Sequence, residues 1–249
     1  MAEDSSVEFS IVIPCRNEQE TIAATIQEAE VTIQKLGVVA EIIVADNASD
    51  DDSREIASEA GARIIQVSEL GYGSALKAGI AAARGTFVIL GDADGSYDFG
   101  ECGRLLEVLR RGNSLVLGCR LPGGGGSIEA GAMPWSHRYI GNPLLTLLSR
   151  ILFRVPVHDV YCGLRGFIKN DYAQLNLEQT GMSFAVEMIV KFTLAGMPIG
   201  EIPIRLRTDG RTQTKSHLRT LRDGWGTLSL LMNTWFKLHR GALVLRSGG

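Results

Sequence analysis

The sequence predicts an α/β fold, a mostly parallel sheet flanked by helices and continued by a C-terminal helical extension. Two observations lead there. Short β-branched, apolar runs alternate with amphipathic stretches of helical length, and those runs stay apolar along nearly their whole extent, as in strands covered on both faces. Polar and acidic residues then gather just beyond several of the runs, where ligands bind in sheets of this kind.

Phe9–Pro14 reads as a buried strand and Glu18–Leu36 as the helix after it. Glu41–Ala45 is a second strand, and Asp51–Ala60 a second helix. The third strand, Ala62–Val67, is entered through Gly61. A helix over Ser74–Arg84, the strand Thr86–Leu90, a helix over Phe99–Arg111 and the strand Ser114–Leu117 complete the alternation. Arg120–Arg138 then holds four consecutive glycines (Gly123 to Gly126), two prolines and a tryptophan. It reads as a plain linker or as a mobile lid, since long loops in compact domains are often functional. Pro143–Phe153 is a strongly apolar helix, Met182–Gly196 another, Pro198–Arg207 an extended segment, and Lys215–Leu238 a helix with basic and apolar faces.

With 249 residues, 45% hydrophobic and 21% charged, the chain suits one domain with a sizeable core. That composition excludes a disordered or collagen-like polymer. No apolar run approaches the ~20 residues that cross a bilayer, and the acidic first ten residues are unlike a signal peptide. Cys15, Cys102, Cys119 and Cys162 form no Cys-x-x-Cys pair and read as buried thiols of a reducing compartment. The expected location is the cytoplasm. The net charge of −3 hides a gradient: −11 over residues 1–60, +2 over 61–200 and +6 over 201–249. A basic C-terminal end fits an anionic partner or a solvated helix face.

Asp92 and Asp94 follow the fourth strand in Gly91-Asp92-Ala93-Asp94-Gly95-Ser96. Two carboxylates brought together unpaired repel, and one must stay protonated unless a cation joins them. Magnesium or manganese resolves this, since each uses one or two carboxylates together with substrate phosphates. An Asp-Gly turn accepting backbone hydrogen bonds is the alternative. The run Val88–Ser96 also looks like the first motif of haloacid-dehalogenase-type phosphatases. That class needs an early strand and clustered later acids, whereas Asp159, Asp171, Asp209 and Asp223 stand singly here. Gly71-Tyr72-Gly73 lacks the third glycine of a dinucleotide fingerprint, and no P-loop occurs. A helix N-terminus there still favours an anion, with Lys77 one turn along, or Lys77 is an ordinary surface lysine.

These pieces together resemble family-2 glycosyltransferases of the GT-A (Rossmann-like) fold, in the branch of dolichyl- and polyprenyl-phosphate sugar synthases. The resemblance covers about residues 9–225. It rests on Ile13–Glu18, Ala45–Asn47, Gly71–Lys77, Gly91–Asp94, Cys162–Phe167, Met182–Glu187 and Asp209–Arg211. It implies one glycosyltransferase domain, with residues 7–119 binding a nucleoside-diphosphate sugar and 120–249 facing the acceptor. It implies that Pro14, Arg16, Glu18, Asp46 and Asn47, with Lys77 and Ala93, line the nucleotide-sugar site. Asp92 and Asp94 are then an Asp-x-Asp motif holding Mg2+ or Mn2+ on the donor diphosphate, where the metal offsets charge on the leaving group. Ser96 stands where relatives carry a further metal-site residue.

The same resemblance implies cationic side chains around an acceptor phosphate, at Arg120, Arg138 and Arg211. An arginine fork donates two parallel hydrogen bonds to a phosphate. Glu187 falls where other members carry a catalytic acid; it is either a base or a hydrogen-bond anchor for a loop, and Asp159 is a candidate for either job. A hydroxyl acceptor needs a base, whereas a phosphate is already ionised. The implied acceptor is a polyprenyl phosphate, or alternatively a small soluble one such as a nucleoside or natural-product intermediate, and no nucleic acid is implied. The basic C-terminal helix, with Arg219, Arg222, Trp225 and Trp235, either touches a membrane surface peripherally or packs as core.

Overall fold

The structure, a computed structural model, describes residues 6–212 and 220–246, with side chains in the last helix described over 224–239. Strands β1 (Phe9–Cys15), β2 (Ala40–Asp46), β3 (Arg63–Gln66) and β4 (Phe87–Leu90) alternate with helices α1 (Ile22–Leu36), α2 (Ser53–Glu59) and α3 (Tyr72–Ala82). Helix α4 (Cys102–Arg110) leads to β5 (Leu115–Cys119), and a short strand β6 (Ser127–Ile128) precedes α5 (Asn142–Phe153). Then come β7 (Arg165–Ile168), α6 (Lys169–Ala173), α7 (Phe184–Leu194), β8 (Ile199–Pro203), β9 (Arg205–Leu206) and α8 (Thr220–Arg246).

Seven strands form one sheet in the order β3-β2-β1-β4-β7-β5-β8. All neighbours pair in parallel except β7, which lies antiparallel between β4 and β5. Side chains of a strand alternate between faces, and β1 shows both cores at once. Ile11 and Ile13 join Ile22 and Ile26 of α1 and Leu105 and Leu106 of α4 on one face. Val12 joins Leu76 and Ile80 of α3 and Met188 and Ile189 of α7 on the other. Each such side chain, fully removed from water, contributes about 1.5–3 kcal/mol, which is why the strands read as unbroken apolar runs.

Several expectations change. Strand β7 was not foreseen: Arg165-Gly166 carries little strand propensity, and only its insertion between β4 and β5 makes those residues a strand. The Arg120–Arg138 stretch is tied down, because β6 pairs with β9 and the Gly126 and Ser127 amides donate to the Leu121 and Ile204 carbonyls. Pro198–Arg207 divides into β8 and β9. The start of the helix expected from Lys215, with Arg219, lies outside the described residues, as does the Arg222 side chain. What is described of that helix packs against α5, with Thr227 and Leu231 buried. Among the described residues no helix is long and apolar enough to cross a membrane.

Helix α3 meets the sheet at Gly79, where an added Cβ would lie 2.4 Å from Val12 Cγ1. Gly79→Ala should therefore destabilise the protein by about 1–3 kcal/mol in urea unfolding, by overpacking. Combined with Val12→Ala, the loss should fall clearly below the sum of the two single changes, since the shorter side chain admits the new methyl.

Candidate active site

The carboxyl ends of β1, β2 and β4 form one rim, and its loops are stitched together before any ligand arrives. Beyond β1, Asn17 takes a positive φ of 55°, which its short polar side chain tolerates. Its N–H donates to Ser49 Oγ at 3.0 Å and its Oδ1 accepts the Asp50 N–H at 3.0 Å. The Glu18 N–H donates to Ser53 Oγ at 2.7 Å. Pro14 closes β1 half-buried, Arg16 is exposed at the rim, and Ala93 is buried with its carbonyl accepting Thr25 Oγ1 at 3.0 Å. Asp46 is buried; its Oδ1 accepts the Ser49 N–H, and Arg54 Nε stands 3.5 Å from its Oδ2.

Asn47 is a brace. Its Nδ2 donates to the Val67 and Glu69 carbonyls at 3.2 and 2.8 Å, and its Oδ1 accepts the Gly71 N–H at 2.7 Å. That ties β2 to the start of α3. The Ser74 N–H of α3 donates to the Thr180 carbonyl at 3.1 Å. Loop 176–181 thus covers the N-terminus where an anion was expected. Lys77 faces the same loop, with Nζ 3.4 Å from the Glu178 carbonyl.

Glu187 fixes that loop from the other side. Its carboxylate accepts the Glu178 N–H at 2.9 and 3.1 Å and the Gln179 N–H at 2.8 Å, and Lys191 Nζ lies 2.9 Å away. Of the two roles open to Glu187, this is the geometry of an anchor.

Asp92, Asp94 and Glu18 crowd the centre of the rim. Tyr72 OH donates to Asp92 Oδ1 at 3.0 Å. Gly163 passes directly behind, where a Cβ would lie 2.6 Å from Asp92 Oδ2, so only glycine lets this backbone approach so closely. Asp94 divides its oxygens: Oδ1 accepts the Ser96 N–H at 3.0 Å in a turn, and Oδ2 lies 3.3 Å from Arg211 Nη2. Arg211 Nη1 donates to Glu18 Oε1 at 2.9 Å, and the same guanidinium also pairs with Asp209. Arg211, expected at an acceptor phosphate, therefore sits on the Glu18 and Asp94 carboxylates.

The protonation of these groups reflects their crowding. Burial, and then the Asp94 charge, push Asp92 up to about 6. Burial pushes Glu18 up to about 7, against the opposing charge of Arg211 and with a further push from Asp94. Among the described residues no group of three or more His, Cys, Asp or Glu is arranged to hold a metal. Asp92 and Asp94 offer two hard oxygen donors, a partial set that phosphate oxygens and water would complete around Mg2+ or Mn2+. The residues present fit that group.

Beyond β5, Arg120 is buried in a two-point pair with Asp159: Nε to Oδ2 at 2.7 Å and Nη2 to Oδ1 at 2.9 Å. Its Nη1 donates to Tyr97 OH at 3.2 Å, and that oxygen also accepts the Gly163 N–H at 2.8 Å. Burial alone would raise the Asp159 carboxyl, but the Arg120 charge and hydrogen bonds outweigh it and hold it below the usual range. Arg138 lies two helical turns ahead of the α5 core contacts, its guanidinium 5.3 Å from the Tyr139 ring centroid. The nearby His137 is lowered by burial and by the Arg120 charge.

Sequence reasoning missed Tyr97 and the part played by Arg165. Arg165 is 1% exposed and donates to the Ala185 carbonyl at 2.7 Å and twice to the Cys162 carbonyl. A buried arginine satisfied by carbonyls alone leaves no one-dimensional signal, whereas Tyr97 could have been found from its place three residues beyond Asp94.

The family model described as glycosyl transferase family 2 matches residues 10–175. The low-salt glycan biosynthesis hexosyltransferase Agl6 of Haloferax volcanii is 34% identical over 89% of this chain, which spans 52% of that relative's length. The dolichyl-phosphate hexose transferase of the same organism is 29% identical over 83% of this chain and 86% of its own. Glucosyl-3-phosphoglycerate synthase of Mycobacterium tuberculosis, solved with Mn2+, uridine diphosphate and glucosyl-3-phosphoglycerate, superposes with a TM-score of 0.72. It covers 91% of this chain and 79% of its own at 22% identity, a likeness of fold.

Asp159→Asn removes one partner of a buried ion pair and leaves Arg120 uncompensated. It should cost about 3–5 kcal/mol in equilibrium unfolding. In the unaltered protein the pair's contribution is fully present above the ordinary aspartate range, because the folded carboxyl is the stronger acid. It should be lost as pH falls through the lowered folded value, and the Asn variant should lack this acid limb.

Proposed function

The chain belongs to glycosyl transferase family 2, and from that premise we propose that it moves a sugar from a nucleoside-diphosphate sugar onto a polyprenyl phosphate. The observation that carries this reading is the lack of a free base at the positions expected to supply one. Glu187 is taken up by two backbone N–H groups and Lys191, and Asp159 by Arg120. A hydroxyl acceptor must lose a proton as it attacks, whereas a phosphate monoester arrives ionised and needs only positioning. The similarity to a dolichyl-phosphate hexose transferase along most of both chains supports the same acceptor class.

In this reading Glu18, Asp46 and the residues around Pro14 hold the nucleoside end of the donor, on loops already braced by Asn17, Asn47 and Ser53. Asp92 and Asp94 hold Mg2+ or Mn2+, which when bound supplies charge to stabilise the departing diphosphate. Tyr72 and Gly163 keep the Asp92 carboxylate in one orientation. Arg211 gives up Asp94 and turns its fork to the diphosphate. Arg120 is held by Asp159 and Tyr97 and retains two of its five N–H donors for the acceptor phosphate. Its planar guanidinium aligns that phosphate for attack at the anomeric carbon, with inversion as the family implies.

Asp94→Ala should abolish the gain in nucleoside-diphosphate affinity that Mn2+ gives in calorimetric titration, while the thermal melt stays intact. An unchanged gain would refute the metal role. Glu187→Gln should leave kcat with a polyprenyl phosphate within a few-fold of the parent; a base would cost about 10²–10⁴-fold. The deciding assay follows transfer from uridine and guanosine diphosphate sugars to a short-chain polyprenyl phosphate and to a panel of soluble alcohols and phosphates. Transfer to a soluble acceptor alone would replace the lipid reading, and donor hydrolysis through an Asp92 phosphoenzyme would point to a phosphatase instead.

A further inference from the structure

Residues 130–158 contain no aspartate or glutamate, in a chain that has 28, and they carry Arg138, Arg150 and Arg154. Helix α5, inside this stretch, is apolar on two sides. Its inner side buries Phe153, with Leu145, Leu148 and Leu152 packed against the second core. Its outer side leaves Leu144, Leu147 and Ile151 at 51%, 53% and 66% exposure. The turns just before it extend the stripe with Trp135, Tyr139 and Ile140 at 67%, 56% and 53%. An exposed apolar patch of this extent, on a helix whose other apolar side is already packed, marks an interaction surface.

We infer that this stripe seats the protein on an anionic lipid surface, with α5 lying in the plane of the headgroups. Charge selects lipid over a second copy of the chain. A two-fold contact through this stretch would set Arg138, Arg150 and Arg154 against their own copies, and the stretch itself offers no acid to pair with them, whereas anionic headgroups complement them. Trp135 and Tyr139, with ring centroids 5.8 Å apart and Arg138 over the Tyr139 ring, make an amphipathic tip of the kind that rests at headgroup level. Helix α5 has 12 residues, short of the ~20 that cross a bilayer, so its contact lies on the surface. The Val160 N–H donates to Thr146 Oγ1 of α5 at 3.4 Å, next to the Asp159 that holds Arg120, so the helix borders the Arg120 end of the site. This last link rests on the proposed acceptor: a lipid phosphate would reach Arg120 without its chain leaving the interface.

The test is co-sedimentation with vesicles of phosphatidylcholine alone and of phosphatidylcholine and phosphatidylglycerol in equal parts, without sugar donor. The protein should partition into the anionic vesicles, less so at high salt. The double variant Leu147→Ser, Ile151→Ser should lower the partition coefficient by about tenfold or more, with circular dichroism and melting unchanged. Tryptophan emission should shift to the blue on binding, and Trp135→Phe should remove most of that shift. No partition, or partition untouched by the double variant, would overturn the inference. So would a shift lost with Trp225→Phe instead, which would assign the contact to α8. A solution dimer that the double variant dissociates, without vesicle binding, would assign the stripe to self-association. Partition without transfer to any lipid phosphate would overturn the acceptor and keep the surface; transfer without partition would do the reverse.

Discussion

Asp92, Asp94 and Glu18 converge where β1 and β4 end, and one guanidinium, that of Arg211, reaches two of the three. Carboxylates this close and this shielded from water can stay ionised together only beside a cation, and the rise of Asp92 and Glu18 toward neutral values records that strain. Much of the surrounding structure serves to hold the oxygens in place despite their repulsion. Tyr72 and Gly163 fix Asp92, the Ser96 turn fixes Asp94, and Thr21 and Arg211 fix Glu18. A site built this way calls for a positive charge, and in the proposed reading a divalent ion with a diphosphate would complete it better than an arginine. The ion can collect phosphate oxygens as well as carboxylates.

A second constraint runs along the opposite side of the rim. From α7, Glu187 holds loop 176–181; that loop's Thr180 carbonyl meets the α3 N-terminus; and Asn47 ties that N-terminus to the end of β2. These contacts use hydrogen-bonding groups that in isolation look like ligands for substrate. Their consequence for chemistry is indirect: Glu187 and Asp159, the two acids expected to serve as a base, are taken up by backbone N–H groups and Lys191 and by Arg120.

How much of this is legible in the sequence depends on the range of the interaction. The alternation through β5 is legible because two-sided burial forces nearly every strand residue to be apolar, a local pattern. The Asp92 and Asp94 pair is legible as a place, two carboxylates just beyond a strand, while the turn at Ser96 and the contact with Arg211 come only from the fold. Strand β7 is not, since Arg165 and Gly166 become a strand only between two partners far away in the chain. Nor are the partners of Arg120, Arg211 and Glu187, which lie 39, 117 and 9 residues off. Residue type announces a cation or a carboxylate; only the fold says whether its charge is already spent.

The most direct test of the central claim is a crystal grown with Mn2+ and a nucleoside diphosphate, measured for the anomalous signal of manganese. The expected result is one peak bound by the Asp94 carboxylate, with Asp92 beside it and phosphate oxygens completing the shell, and the Arg211 guanidinium withdrawn from Asp94. A nucleotide seated elsewhere, or a manganese peak remote from both aspartates while Arg211 keeps its contact with Asp94, would contradict it.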